Sequence, residues 1–157
     1  MGLLTQELVE EALELAKPSI LAILNFGDTT WGPEWVAGYV DGPGLENRIS
    51  FQFGKNYQEK WNQNWGSPQG FFQIAQKKLD VAKREKLSTS VVVDTRPWCL
   101  KEGEFFYPGG VYRDGISVAT SGAIGRTDEA ISEIILSCIR LLCFLEMGIT
   151  VEGRMEV

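Results

Sequence analysis

The sequence contains no histidine. That absence excludes Ser-His-Asp triads, His-ligated zinc and haem held by a proximal imidazole, and leaves acid–base chemistry to Asp, Glu, Lys, Tyr or Cys. Cysteine is scarce. Cys99, Cys138 and Cys143 are an odd number without metal-ligand spacing. They read as buried structural thiols, not as redox or metal groups, and a reducing, cytoplasmic setting fits them. Basic residues are in deficit, 15 Lys and Arg against 21 Asp and Glu for a net charge of −6. With no basic cluster to offset that balance, a nucleic-acid partner is disfavoured. Long apolar runs are missing as well. The most apolar stretch, 134–145, is interrupted by Arg140 and is too short to cross a bilayer. The opening MGLLTQELVEEALELAK lacks the basic n-region and cleavage site of a signal peptide. No repeat, linker or low-complexity tract divides the chain, so residues 1–157 are predicted to form one domain.

What is present concentrates between Phe105 and Met147. Asp114-Gly115, flanked by Val111, Tyr112, Ile116 and Val118, predicts a β-hairpin with a two-residue turn at positive φ. Ile131, Ile134, Ile135, Cys138, Leu142 and Leu145 recur at helical spacing, predicting a long helix buried along that stripe. Thr127 is placed to cap it, Asp128 and Glu129 to meet its dipole, and Gly148 to stop it.

Earlier in the chain, Thr5 predicts the cap of a first helix running to Lys17, with Pro18 as its breaker. The apolar run 20–26 then reads as a buried strand, followed by strands over Trp35–Val40 and Arg48–Phe53. Tyr57, Trp61 and Trp65 fall four apart in a polar stretch, either an aromatic contact rim or a loop whose rings pack on the domain. Ser67-Pro68 opens a helix with Phe71, Ile74, Ala75, Leu79 and Ala82 on its buried face. Lys78 lies in that same arc. Its ordinary reading is a stem along apolar surface with a wet ammonium, its alternative a functional lysine. Ser90–Asp94 reads as a further strand. Asp94 at its end is a lone carboxylate, more often a turn residue than a catalyst. Short loops between strands imply a mainly antiparallel sheet, and the amphipathic helices must cover it. The fold class is therefore α+β.

Gly109-Gly110, the Asp114-Gly115 hairpin, Ser121-Gly122, the acidic pair Asp128-Glu129 and Ile74-Ala75 before Lys78 together resemble the GlcG-like and PduO C-terminal-like proteins, also called haem-degrading-domain or HbpS-like proteins. The resemblance covers about 67–140. Over 18–66 the family's strand pair gives way to the tryptophan-rich stretch. It implies a profilin-like three-layer α/β/α fold with a five- or six-stranded, mainly antiparallel sheet, homo-oligomers, and in some members binding of haem or a related tetrapyrrole.

Candidate ligand-binding residues are Lys78, Tyr107, Gly109, Gly110, Ser121 and Gly122. Gly109-Gly110 would let a ligand approach the backbone, and Ser121-Gly122 would present amides near a helix start. Turn geometry and strand–helix packing are the ordinary explanation of both motifs, because a lone Gly-Gly or Ser-Gly is a weak signal. Haem would need Tyr107, Tyr112, Cys99 or Met147 in place of imidazole. No nucleophile–base pair and no metal-ligand set is visible in the sequence, so a binding protein ranks first, an interaction protein second and an enzyme last.

Overall fold

The computed structural model describes residues 4–27, 34–55, 68–104 and 107–150. Tyr57, Trp61, Trp65 and Phe105 lie outside them. Thr5 stands at the head of helix α1 (Gln6–Leu24), its hydroxyl accepting the Leu8 amide at 3.1 Å. Pro18 does not end this helix, and the run predicted as a strand over 20–26 is helical to Leu24. Leu8, Ala12, Ala16, Ile20 and Leu24 keep a four-residue spacing straight through the proline, and all are buried. Burial of Ile20 and Leu24 contributes about 1.5–3 kcal/mol each. That offsets the roughly 3 kcal/mol an interior proline costs.

Two hairpins make the sheet. Strand β1 (Trp35–Asp41) pairs antiparallel with β2 (Ile49–Gly54), Val36 opposite Phe53 and Val40 opposite Ile49. Strands β3 (Gly110–Arg113) and β4 (Ile116–Ser121) join through Asp114 and Gly115, at φ 54° and 87°, as the sequence predicts. Strand β4 also pairs with β1, Gly38 opposite Thr120, which sets the order β2-β1-β4-β3. The described sheet is thus antiparallel and four-stranded, where five or six strands are expected from the sequence. Of the segments that make up the difference, 20–26 is helical to Leu24 and 90–94 lies wholly in a helix.

Helix α2 (Pro68–Glu85) is followed by the short helix α3 (Thr89–Thr95) and a 3-10 turn at Pro97–Cys99. The valines of SVVVD favour a strand by propensity, but burial here follows a helical i, i+3 pattern. Thr89 and Val92 are buried while Val91 is exposed. The Thr89 hydroxyl accepts the Gly110 amide at 3.0 Å and donates to the Gly110 carbonyl at 3.4 Å, so α3 satisfies the start of β3 with one side chain. Arg84 ties the next loop to α2. Its guanidinium donates to both carboxylate oxygens of Glu104, at 2.7 and 2.9 Å, and to the Cys99 carbonyl at 3.0 Å.

The last helix, α4 (Gly125–Thr150), starts two residues before Thr127 and runs past Gly148. It packs with α1 against one face of the sheet, and α2 covers the other. Strand alternation feeds both sides. Val36, Val40, Phe51, Phe53, Val111, Ile116 and Val118 face α1 and α4, while Trp35 and Ala37 meet Phe71 and Phe72 of α2. Because α4 touches sheet and α1 together, its buried arc is turned from the predicted stripe. Ile131 and Ile135 are buried as predicted, joined by Leu136, Ile139 and Cys143. Ile134, Cys138 and Leu142 are half-buried against the core, and Leu145 is exposed. Among the described residues no helix is long and apolar enough to cross a membrane.

Ile135 is fully buried at the centre of this arc. Ile135→Asp is expected to destabilise the chain by about 3–5 kcal/mol, the cost of an uncompensated buried charge. A thermal melt unchanged by the substitution would show that α4 is not packed there.

Candidate functional site

The site forms where the first half of α2 faces the start of α4 beside β3 and β4. Lys78, on the sheet-facing side of α2, is 4% exposed. A surface lysine keeps its ammonium in water. Here the ammonium is inside the protein, and the wet-ammonium reading of Lys78 is overturned. It donates to the Thr120 carbonyl at 3.0 Å and to Asp128 Oδ2 at 3.1 Å. Asp128 is 2% exposed, and its other oxygen, Oδ1, accepts the Ala123 amide at 3.0 Å. The pair is a buried salt bridge between two layers of the fold.

Gly109-Gly110 gives the lysine its room. At Gly109, φ is 138°, and a Cβ there would stand 2.6 Å from the Thr120 carbonyl oxygen and 2.7 Å from Lys78 Nζ. A Cβ on Gly110 would lie 2.6 Å from the Lys78 carbonyl oxygen. From the opposite face of the sheet, Ser132 donates its one hydroxyl proton to the Gly109 carbonyl at 2.6 Å, so Thr120 is the donor in the 2.7 Å contact between the two hydroxyls. Gly109 is therefore gripped from both layers.

Beside the ion pair lies a cavity of about 290 Å³. Phe71 and Ile74 supply its apolar wall, Tyr107 its rim, Ser121, Gly122 and Ala123 the end of β4, and Gly125 and Asp128 the start of α4. Ser121 is 3% exposed, and its hydroxyl has no partner among the described residues. That hydroxyl opens onto the cavity and is not sealed in protein. At Gly122, φ is 124° and a Cβ would meet the Trp35 carbonyl oxygen at 2.6 Å, so the chain turns here only with glycine.

Burial dominates the electrostatics. Loss of water pushes the Asp128 carboxyl up to about 7, against the opposing pull of the Lys78 charge and the Ala123 amide. The same desolvation lowers the Lys78 ammonium, with Asp128 opposing. Among the described residues no group of three or more His, Cys, Asp or Glu side chains is arranged to hold a metal ion. The Cys138 and Cys143 thiols are raised by burial and stand on α4, away from the cavity walls.

Of the candidates named from sequence, the fold brings Lys78, Tyr107, Ser121 and Gly122 around one cavity. Gly109 and Gly110 do not line it, and the space beside them is filled by Lys78. Asp128 was legible only as a dipole partner of its helix. Its position one turn before Ile131 and Ile135, on their buried arc, was the available signal that its carboxylate points inward and needs a cation. Phe71 and Ile74 were legible as buried residues of α2, not as a ligand wall.

No family model matches the chain, and no curated protein matches it. Among solved structures it is similar to protein ORFY of Klebsiella pneumoniae, described with the DUF336 family model, at a TM-score of 0.56 and 14% identity over 89% of this chain and 92% of that one. The two chains share the fold.

Two outcomes follow from the ion pair. Asp128→Ala alone is expected to cost about 3–5 kcal/mol, because it strands a buried ammonium. Lys78→Met combined with Asp128→Leu should cost less than either single change, and denaturant titration of the three variants checks the order. The second outcome is a pH dependence. The folded chain keeps the Asp128 proton to about 7, whereas an unfolded aspartate releases it near 3.8. The folded state binds more protons between those values, so this group's contribution is greatest below the lower one and is lost as pH rises through the upper. Lys78 acts at higher pH, where its lowered value makes stability rise toward the ordinary lysine range. Melts of wild type and Asp128→Asn from pH 4 to 7 should differ in slope by the first component.

Proposed function

We propose that this chain is a GlcG-like protein that binds a small molecule in the cavity beside Lys78 and Asp128, and that it works as a homo-oligomer of single-domain chains. The observation that carries the reading is Ser121, a buried residue whose hydroxyl has no partner among the described residues and opens onto a mostly apolar cavity. An unpaired buried polar group costs free energy, and a ligand that bonds to it recovers that cost. A few convergent polar groups in an apolar cleft are what small-molecule sites consist of. The fold shared with the DUF336 protein ORFY supports the family part of the reading.

Haem does not fit this cavity. At about 290 Å³ it is at the small end for a ligand pocket. Among the described residues its walls carry no imidazole, thiol or thioether, and Tyr107 at the rim offers a phenol. The ligand class supported instead is a compact polar molecule with an apolar side. The oligomer part is supported by Leu141, Phe144, Leu145 and Met147, large apolar side chains left exposed together toward the end of α4. A tryptophan contribution to the contact concerns residues outside those described.

Native mass spectrometry of freshly purified protein tests both parts. The expected spectrum is an oligomer retaining one small molecule per chain. Ser121→Leu, which places a side chain in the cavity, should lose that molecule while melting within a few degrees of wild type. A wild type with no retained mass, or a retained mass unaffected by Ser121→Leu, would remove the binding reading. Hemin titration should give no saturating Soret band.

A further inference from the structure

We propose that the cavity takes a small aldehyde or ketone and holds it covalently, as an imine on Nζ of Lys78. This rests on reading the cavity as a ligand site and names the chemistry of its ligand.

Four observations converge on it. The Lys78 nitrogen has three positions beyond its carbon, and the protein occupies two of them, with Thr120 and Asp128. The lysine lines the cavity, so the third position is the one a ligand would meet. The Asp128 contact, at 3.1 Å, joins an amine and a carboxyl that differ from the ion pair only by one proton moved along a hydrogen bond. Burial penalises both charges at once, which favours the neutral pair, a free amine beside a carboxylic acid, over what the same groups would adopt in water. Only the free amine is a nucleophile, and a desolvated lysine is one recognised way to obtain it. Ser121 adds a hydroxyl with no partner among the described residues, on the cavity wall where it can bond to a carbonyl oxygen. Phe71 and Ile74 keep the wall dry, which disfavours hydrolysis of the product.

The steps balance with these groups alone. The Lys78 amine forms the C–N bond while the carbonyl oxygen takes the Asp128 proton. The nitrogen of the adduct returns a proton to the carboxylate. The hydroxyl then accepts that proton and leaves as water, and the C=N bond forms. The product is a protonated imine beside an ionised Asp128, so the charge pair of the resting site is recovered. Amine and carbonyl have become imine and water, with no oxidant or metal involved.

The test is reductive trapping of the full chain, with acetaldehyde and with pyruvate in separate reactions, each quenched with sodium borohydride and mapped by peptide mass spectrometry. The expected result is one reduced adduct per chain, at Lys78, formed faster than on exposed Lys55 and Lys83. Lys78→Arg should lose this adduct. Asp128→Asn should slow trapping at position 78 while the surface lysines react as before. The wild-type map decides the matter even where these variants fold poorly. Lys78 unlabelled by both probes while Lys55 and Lys83 react would overturn the imine. If a molecule displaced by Ser121→Leu is still retained in native mass spectra, the binding reading survives that result. If none is retained, both fall.

Discussion

The buried ion pair between Lys78 and Asp128 is the contact on which the rest of this structure depends. Taking two charges out of water is costly, and mutual attraction offsets that cost only when the remaining hydrogen-bonding capacity is also met. Here backbone supplies one further bond to each, the Thr120 carbonyl to the ammonium and the Ala123 amide to the carboxylate. Those two backbone groups belong to the end of β4 and the bend that leads into α4. The pair therefore fixes how α2, β4 and α4 come together. The Gly109-Gly110 sequence is a consequence, since any side chain at either position would collide with Lys78 or its carbonyl.

A second set of contacts holds this arrangement from outside. The Ser132 hydroxyl, itself held by the Thr120 hydroxyl, anchors the Gly109 carbonyl from the α4 side, and Thr89 bonds to both backbone groups of Gly110. Ser90 is hydrogen-bonded to Glu129, which links α3 to the start of α4. Charged or polar groups that are fully bonded in this way make a region rigid, because each would lose a partner if its neighbour moved. Ser121 is the exception in the same neighbourhood, its hydroxyl facing the cavity with no partner among the described residues.

The similarity to ORFY places these details in proportion. At 14% identity the two chains share little but the fold. Of the short motifs that suggested the resemblance, the glycine pair, the Ser-Gly strand end and the acidic helix start fall at or beside the junction around the ion pair, while the Asp-Gly turn closes the far end of the hairpin, where Asp114 meets Arg140. The exposed apolar end of α4 lies elsewhere.

Several features were legible in the sequence because they depend only on near neighbours. The Thr5 cap, the Asp114-Gly115 turn and the apolar periods of α2 and α4 are properties of residues within a turn or two of each other. Composition alone removed imidazole chemistry. What the tertiary structure decided was everything set by distant surfaces. Residues 20–24 and 89–95 are apolar enough for a strand, and became helical because of which neighbour covers which face. The spacing Ala16, Ile20, Leu24 did continue the helix through Pro18, but the proline masked it. Lys78 and Asp128 stand 50 positions apart, so no local pattern pairs them. Whether a lysine in an apolar arc ends in water or in a salt bridge depends on what packs over its tip, and that is known only once the layers are assembled.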